Sequence, residues 1–230
     1  MGVLKRLTDE YFHNDERAED RVVVMGVIKH DFTDKNGVRH RNGYRVEDEN
    51  ENKNKILNIL IQELIVKRGN ECGLNDIDVS NILDMTGMFQ HTHFNGNISG
   101  WDVSRVINMD RMFYNSDFNG NISKWDVSNV EDMQYMFCKS KFNGNISGWK
   151  VSSADDMRGM FESADFTGEN GDISKWNVSG VKDMTYMFYN SHFNGDISEW
   201  EIQRGCKVVN MFDKSPLENK PPKWYYNRKY

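Results

Sequence analysis

At 230 residues, with a formal net charge of −6 and 38% apolar residues, the chain could hold one large domain or a small domain joined to a repeat array. It has 13 Met, 13 Phe and 6 Trp, most of which recur at fixed spacing, a regularity that disordered chains lack. Basic and acidic side chains balance at 13 each over residues 1–69, run 11 to 20 over 70–212 and 5 to 2 over 213–230. The middle of the chain therefore offers no basic footprint for nucleic acid, and no stretch approaches the roughly 18 apolar residues of a membrane-spanning helix.

Residues 1–52 read as an N-terminal region. Met1–Leu7 is soon interrupted by Asp9 and Glu10, so it lacks the apolar core of a secretory signal, and Arg6 stands where a myristoylation pattern wants Ser or Thr. This predicts cytoplasmic synthesis, followed by assembly into a particle or by surface association without a signal. A short Leu/Tyr/Phe pattern within residues 1–20 suggests an initial helix. From Arg21 the text turns β-rich, Asn36-Gly37 supplies a tight turn, and Val38–Val46 reads as a return strand, giving a hairpin over about residues 21–46. Arg39, Arg41 and Arg45 make that second strand basic; this is either a solvated edge protected from further pairing or a docking surface for an acidic partner.

A polar run over residues 47–55 reads as a linker. Ile56, Leu57, Ile59, Leu60, Ile61, Leu64 and Ile65 then predict an apolar helix over 53–69 that stops at Lys67-Arg68-Gly69, since basic residues followed by Gly mark a helix C-terminus. Its place just before the first repeat makes it an N-terminal cap.

Over residues 70–216 the text Phe94-Asn95-Gly96-Asn97-Ile98-Ser99-Gly100-Trp101-Asp102-Val103 returns at Phe118, Phe142, Phe166 and Phe193, with a degenerate first copy ending at Phe89. Three steps are 24 residues; the fourth is lengthened to 27 by an insertion at Thr167–Asp172. The expected fold is an α/β solenoid, a leucine-rich-repeat-like array of about six 24-residue repeats. Ile98, Trp101 and Val103 fit the inward positions of a short strand, and Val106, Met109, Met112 and Phe113 fit one face of a short helix. The Asn-Gly-Asn corners (Asn95-Gly96-Asn97 and its equivalents) suit turn chemistry better than calcium, because most of their side chains are amides. Residues 217–230, with Trp224, Tyr225 and Tyr226, form either a C-terminal cap or an exposed aromatic hook, the cap being favoured because the last layer otherwise lies bare.

The repeat F-N-G-[ND]-I-S-x-W-[DN]-V-S-x-V-x-[DN]-M-x-x-M-F resembles the BspA-like leucine-rich-repeat family in its mycoplasma-lipoprotein-type subgroup, over about residues 53–226. The resemblance implies the fold just described and a surface-associated or adhesive binding role. This chain departs from it in having no signal peptide or lipidation cysteine near its start.

No phosphate loop, nucleophile elbow or zinc spacing occurs, and the three cysteines, Cys72, Cys138 and Cys206, show no CxxC pair. No catalytic residue, cofactor or metal is expected. Function on such an array belongs on the exposed side of the predicted strands. One column there is Asp76, Gly100, Lys124, Gly148, Lys175 and Glu199; the other is Asp78, Asp102, Asp126, Lys150, Asn177 and Glu201. The leading expectation is a non-enzymatic protein-interaction module of adhesion or recognition type that presents this polar face to a protein partner. The alternative is a structural subunit of a larger assembly, such as a virus particle or surface apparatus, anchored by the hairpin or the tail.

Overall fold

The structure, a computed structural model, describes residues 27–47 and 52–226. The initial helix expected within residues 1–20, the first residues of the hairpin and part of the linker lie outside the described residues.

Strands β1 (Val27–Thr33) and β2 (Arg39–Val46) pair antiparallel as the Asn36-Gly37 turn predicts. Asp34 builds the turn as much as Gly37 does, because its carboxylate accepts from the N–H groups of Asn36 and Val38 at 2.9 and 2.8 Å. The pairing is irregular between His30 and Phe32, where the Asp31 carboxylate accepts from the Asn42 N–H at 3.0 Å. Helix α1 (Lys53–Arg68) buries six of the seven apolar residues that predicted it and leaves Ile59 partly buried, and the Gly69 N–H donates to the Ile65 carbonyl at 2.8 Å. Strand β3 (Ile77–Asp78) adds to β2 in parallel, with Tyr44 opposite Ile77 and Arg45 opposite Asp78. The hairpin is thereby joined to the first repeat in a three-stranded sheet.

Beyond β3 each repeat lies in register on the next. Parallel one-residue bridges run from Asp84 through Asn108, Asp132, Asp156 and Asp183 to Lys207. From each bridge a ladder extends in which alternate N–H groups donate to carbonyls one repeat on. Met109, Arg111, Phe113 and Asn115 donate to Asp132, Gln134, Met136 and Cys138 at 2.8–3.0 Å. Phe89, Phe113, Phe137, Phe161, Phe188 and Phe212 form one unbroken ring stack with centroids 5.4–6.0 Å apart. Each tryptophan donates its ring N–H to a carbonyl of the preceding repeat: Trp101 to Leu74, Trp125 to Ile98, Trp149 to Ile122, Trp176 to Ile146 and Trp200 to Ile173, at 2.8–3.2 Å. Buried donors are thus satisfied while large rings are removed from water, each burial contributing about 1.5–3 kcal/mol.

Within the repeat the secondary structure differs from the expected strand plus helix. Ile98–Val103 carries turns, and Val106–Phe113, read as a helix, carries the ladder. A helix directs its N–H groups four residues back; here alternate ones go to the neighbouring repeat, while the others close three-residue turns such as Met112 N–H to the Met109 carbonyl at 3.2 Å. Left-handed residues recur at two slots, Arg111, Tyr135, Tyr186 and Asn210 in one and His91, Asn115, Lys139, Ser163, Asn190 and Lys214 in the other, with φ between 49° and 61°. No right-handed helix passes through such residues.

At the C-terminal end, helix α2 (Lys223–Tyr226) carries Trp224 onto Trp200 (6.4 Å, 16°) and Tyr225 edge-on to Phe212 (5.0 Å). The Trp224 ring N–H meets the Ile197 carbonyl at 2.9 Å, continuing the tryptophan rule.

Candidate partner-binding face

The twelve face residues divide into a covered and an open part. Arg68 grips Asp76 with two hydrogen bonds of 2.9 and 2.7 Å. Asp78 is buried against Arg45 at 3.2 Å and His30 at 3.0 Å. Asp102 faces the Lys35 ammonium at 3.7 Å, and the Gly100 carbonyl accepts from the Lys35 N–H at 3.0 Å. A Cβ at Gly100 would overlap the Asp34 carboxylate, so the missing side chain is what lets the hairpin turn settle there. The backbone approach that this glycine permits is made by the chain's own hairpin.

Lys124, Asp126, Gly148, Lys150, Lys175, Asn177, Glu199 and Glu201 remain exposed. Gly148, the slot equivalent of Gly100 two repeats on, has open space above it, the nearest atom to an added Cβ being the Ser123 carbonyl oxygen at 4.0 Å. In the second column Asp102, Asp126 and Asn177 turn back to accept from the N–H two residues on, at Ser104, Ser128 and Ser179, at 3.1–3.2 Å. Hydrogen bonds from the Ser128 side chain and N–H hold the Asp126 carboxyl below the usual carboxylate range. These side chains are turn builders first, which leaves Lys124, Lys150, Lys175, Glu199 and Glu201 as the charges free to meet solvent or a partner.

The hairpin arginines do not act as one surface. Arg45 joins Asp78 and Glu47 (2.6 Å), Arg39 pairs with Asp31 on the neighbouring strand at 3.2 Å, and Arg41 is exposed. Where hairpin and repeats meet, a cavity of about 340 Å³ opens between Phe32, Lys35, Ser80 and the carboxylates of Asp34, Asp78 and Asp102. Burial pushes the Asp34 carboxyl up, but hydrogen bonds from His40, Val38 and Asn36 outweigh it and leave it below the usual range.

Sequence reasoning missed the outer side of the ladder, having assigned it to a helix. Arg111 lies over the Tyr135 ring at 5.0 Å, Lys139 over Tyr114 at 5.7 Å and Lys214 over Tyr189 at 5.0 Å, each pair spanning two repeats. The buried Cys138 shares the Tyr114 slot, and burial pushes its thiol up to about 12. The insertion is a corner bulge tied to the preceding repeat, with the Thr167 N–H on the Asn143 side chain at 3.0 Å and the Asn170 amide on the Asn143 carbonyl at 3.2 Å. Asn95, Asn119 and Asn143 extend this as a side-chain ladder, each accepting from the backbone of the next repeat. Among the described residues no group of three His, Cys, Asp or Glu side chains could hold a metal ion, and no helix is long and apolar enough to cross a membrane.

A family model described as Mycoplasma protein of unknown function, DUF285, matches residues 62–170 and 138–225, and the chain belongs to that family of mycoplasma-type repeat proteins. No match is found among curated proteins or among solved structures.

Proposed function

We propose, with membership of that family as the premise, that this protein is a non-enzymatic interaction module: a BspA-like, leucine-rich-repeat-type solenoid whose open face takes a protein partner in an adhesion or recognition role. One observation carries the reading. The first part of the face already works as a protein-binding surface, receiving a main-chain hydrogen bond at Gly100 and cationic side chains at Asp78 and Asp102 from the hairpin. The same columns continue uncovered past Lys124, and Gly148 repeats the recess that admits the hairpin at Gly100. A partner strand or loop approaching Gly148 would meet Lys124, Lys150 and Lys175 around it, which selects an acidic approach surface.

The test compares proteins captured from the native host by the wild-type chain and by Lys124→Glu/Lys150→Glu. Both lysines are exposed, so the variant keeps its fold. Loss of a specific protein from the captured set supports the reading; an unchanged set moves the site off this face.

A further inference from the structure

The ladder has a direction, and among the described residues that direction leaves donors over at its C-terminal end. In the last complete step Met184, Tyr186, Phe188 and Asn190 donate their N–H groups to the carbonyls of Lys207, Val209, Met211 and Asp213 at 2.8–3.0 Å. One repeat on, the equivalent donors are Val208, Asn210, Phe212 and Lys214, since Lys207 bridges Asp183. None of these four donates to a backbone carbonyl among the described residues. Helix α2 covers the Trp200 and Phe212 rings and its Tyr225 side chain reaches the Met211 backbone, while Val209 is 57% exposed and Lys214 is exposed along the ladder. Basic side chains outnumber acidic ones along this edge: Lys207, which also reaches Asp183 at 3.3 Å, and Lys214 flank the donors, and Lys220 and Lys223 stand exposed nearby in sequence, against Asp213 and Glu218.

We infer that this edge is a main-chain docking site for an acidic, extended segment of a partner protein, laid parallel to residues 207–214 as one further rung. Its carbonyls accept from these four N–H groups, which have no carbonyl partner among the described residues, and its carboxylates meet Lys207 and Lys214. The rung conformation also specifies the segment. Each inner rung carries left-handed residues at the Arg111 and Asn115 slots, so Gly or Asn at those places favours binding. A second copy stacked end-on is the wrong occupant. Its matching carbonyls begin at Asp84, which already accepts from Asn54 of α1 at 2.9 Å.

The probe is the acetylated, amidated peptide with the sequence of residues 83–91, which has Gly87 at the left-handed slot and places Asp84 beside Lys207. Titrated into the full chain labelled with ¹⁵N, it is expected to shift the amides of Asn210 and Lys214. Lys207→Glu in the protein, or Asp84→Lys in the peptide, weakens binding at least fivefold, and the two changes together recover it. Lys207 is 70% exposed, so the substitution leaves the core intact. Absence of shifts at Asn210 and Lys214, or a Lys207→Glu protein that binds both peptides as the wild type does, overturns the inference. Shifts confined to the Lys124–Lys150 face also overturn it, while speaking for the face. Concentration-dependent shifts without peptide would assign the edge to self-association and equally sink the partner segment. The two sites fail separately, because Lys124→Glu/Lys150→Glu leaves this edge untouched.

Discussion

Gly43 decides whether the hairpin can sit on the repeats. A Cβ there would overlap the Phe32 ring and come within 2.7 Å of the Asp76 carbonyl oxygen, whose acceptance from the Tyr44 N–H, also at 2.7 Å, helps tie β2 to the first repeat. Gly43→Ala should therefore loosen the junction, costing about 1–3 kcal/mol as an overpacked contact does. The control is Gly148→Ala, where the nearest atom is 4.0 Å away; it should stay within about 0.5 kcal/mol of the wild type. Urea unfolding of the two variants measures both, and equal losses would sink the steric account. The same residue scale shows why the docked hairpin was not legible in the sequence. Asp78 and Arg45 lie 33 positions apart, and nothing in a basic strand says whether its acidic partner is another chain or the next domain of its own.

At the scale of the repeat, the core was legible and the backbone path was not. Ile98, Trp101, Val103, Met109, Met112 and Phe113 are all buried, as their recurrence demanded. Their spacing fits a succession of three-residue turns as well as it fits a helix, however, so periodicity could not separate the two. Glycine would have disclosed the left-handed slots, but among the described repeats it occurs only as Gly87 and Gly159 in one of them, where Arg111 and Tyr135 stand in equivalent places, and not at all in the slot of Lys139. The ladder's hydrogen bonds hold those residues in a conformation costing about 1–2 kcal/mol each. Lys139→Gly should thus be neutral to stabilising by up to about 1 kcal/mol, even after losing its contact with Tyr114, whereas the β-branched Lys139→Val should destabilise by about 1 kcal/mol or more; denaturant midpoints separate the two. The corners make a second prediction. Asp172 and Asp196 accept from the Ser174 and Ser198 N–H groups, which hold their carboxyls below the usual range, while the same slot elsewhere holds Asn97, Asn121 and Asn145. A depressed folded pKa gives stability that is present above the unfolded value, about 3.9, and is lost as pH falls through the folded one. Asp172→Asn/Asp196→Asn keeps the acceptors without the proton, so its acid-unfolding midpoint should lie at lower pH than that of the wild type.

Across the described repeats the backbone ladder and the ring stacks join each repeat to its neighbours, so stability should be the sum of repeat and interface contributions and should be lost from the ends inward. The two ends are closed by different devices. Helix α1 buries six apolar side chains in the core at the N-terminal end, whereas the C-terminal cap rests largely on two aromatic residues, Trp224 over Trp200 and Tyr225 over Phe212. Trp224→Ala removes a stacked ring together with one of the two hydrogen bonds to the Ile197 carbonyl, a change of about 3–5 kcal/mol for a buried aromatic and less here because Trp224 is only partly buried. In a globally cooperative domain that loss would speed hydrogen exchange at every core amide alike. In a nearest-neighbour stack it should fall on the last rungs first, so that Tyr186, Phe188 and Asn190 exchange faster while Met85, Gly87 and Phe89 keep their protection. Uniform acceleration across both sets would mean that the hairpin, α1 and the repeats unfold as one unit, and the C-terminal edge could not then open or accept a rung independently of the rest.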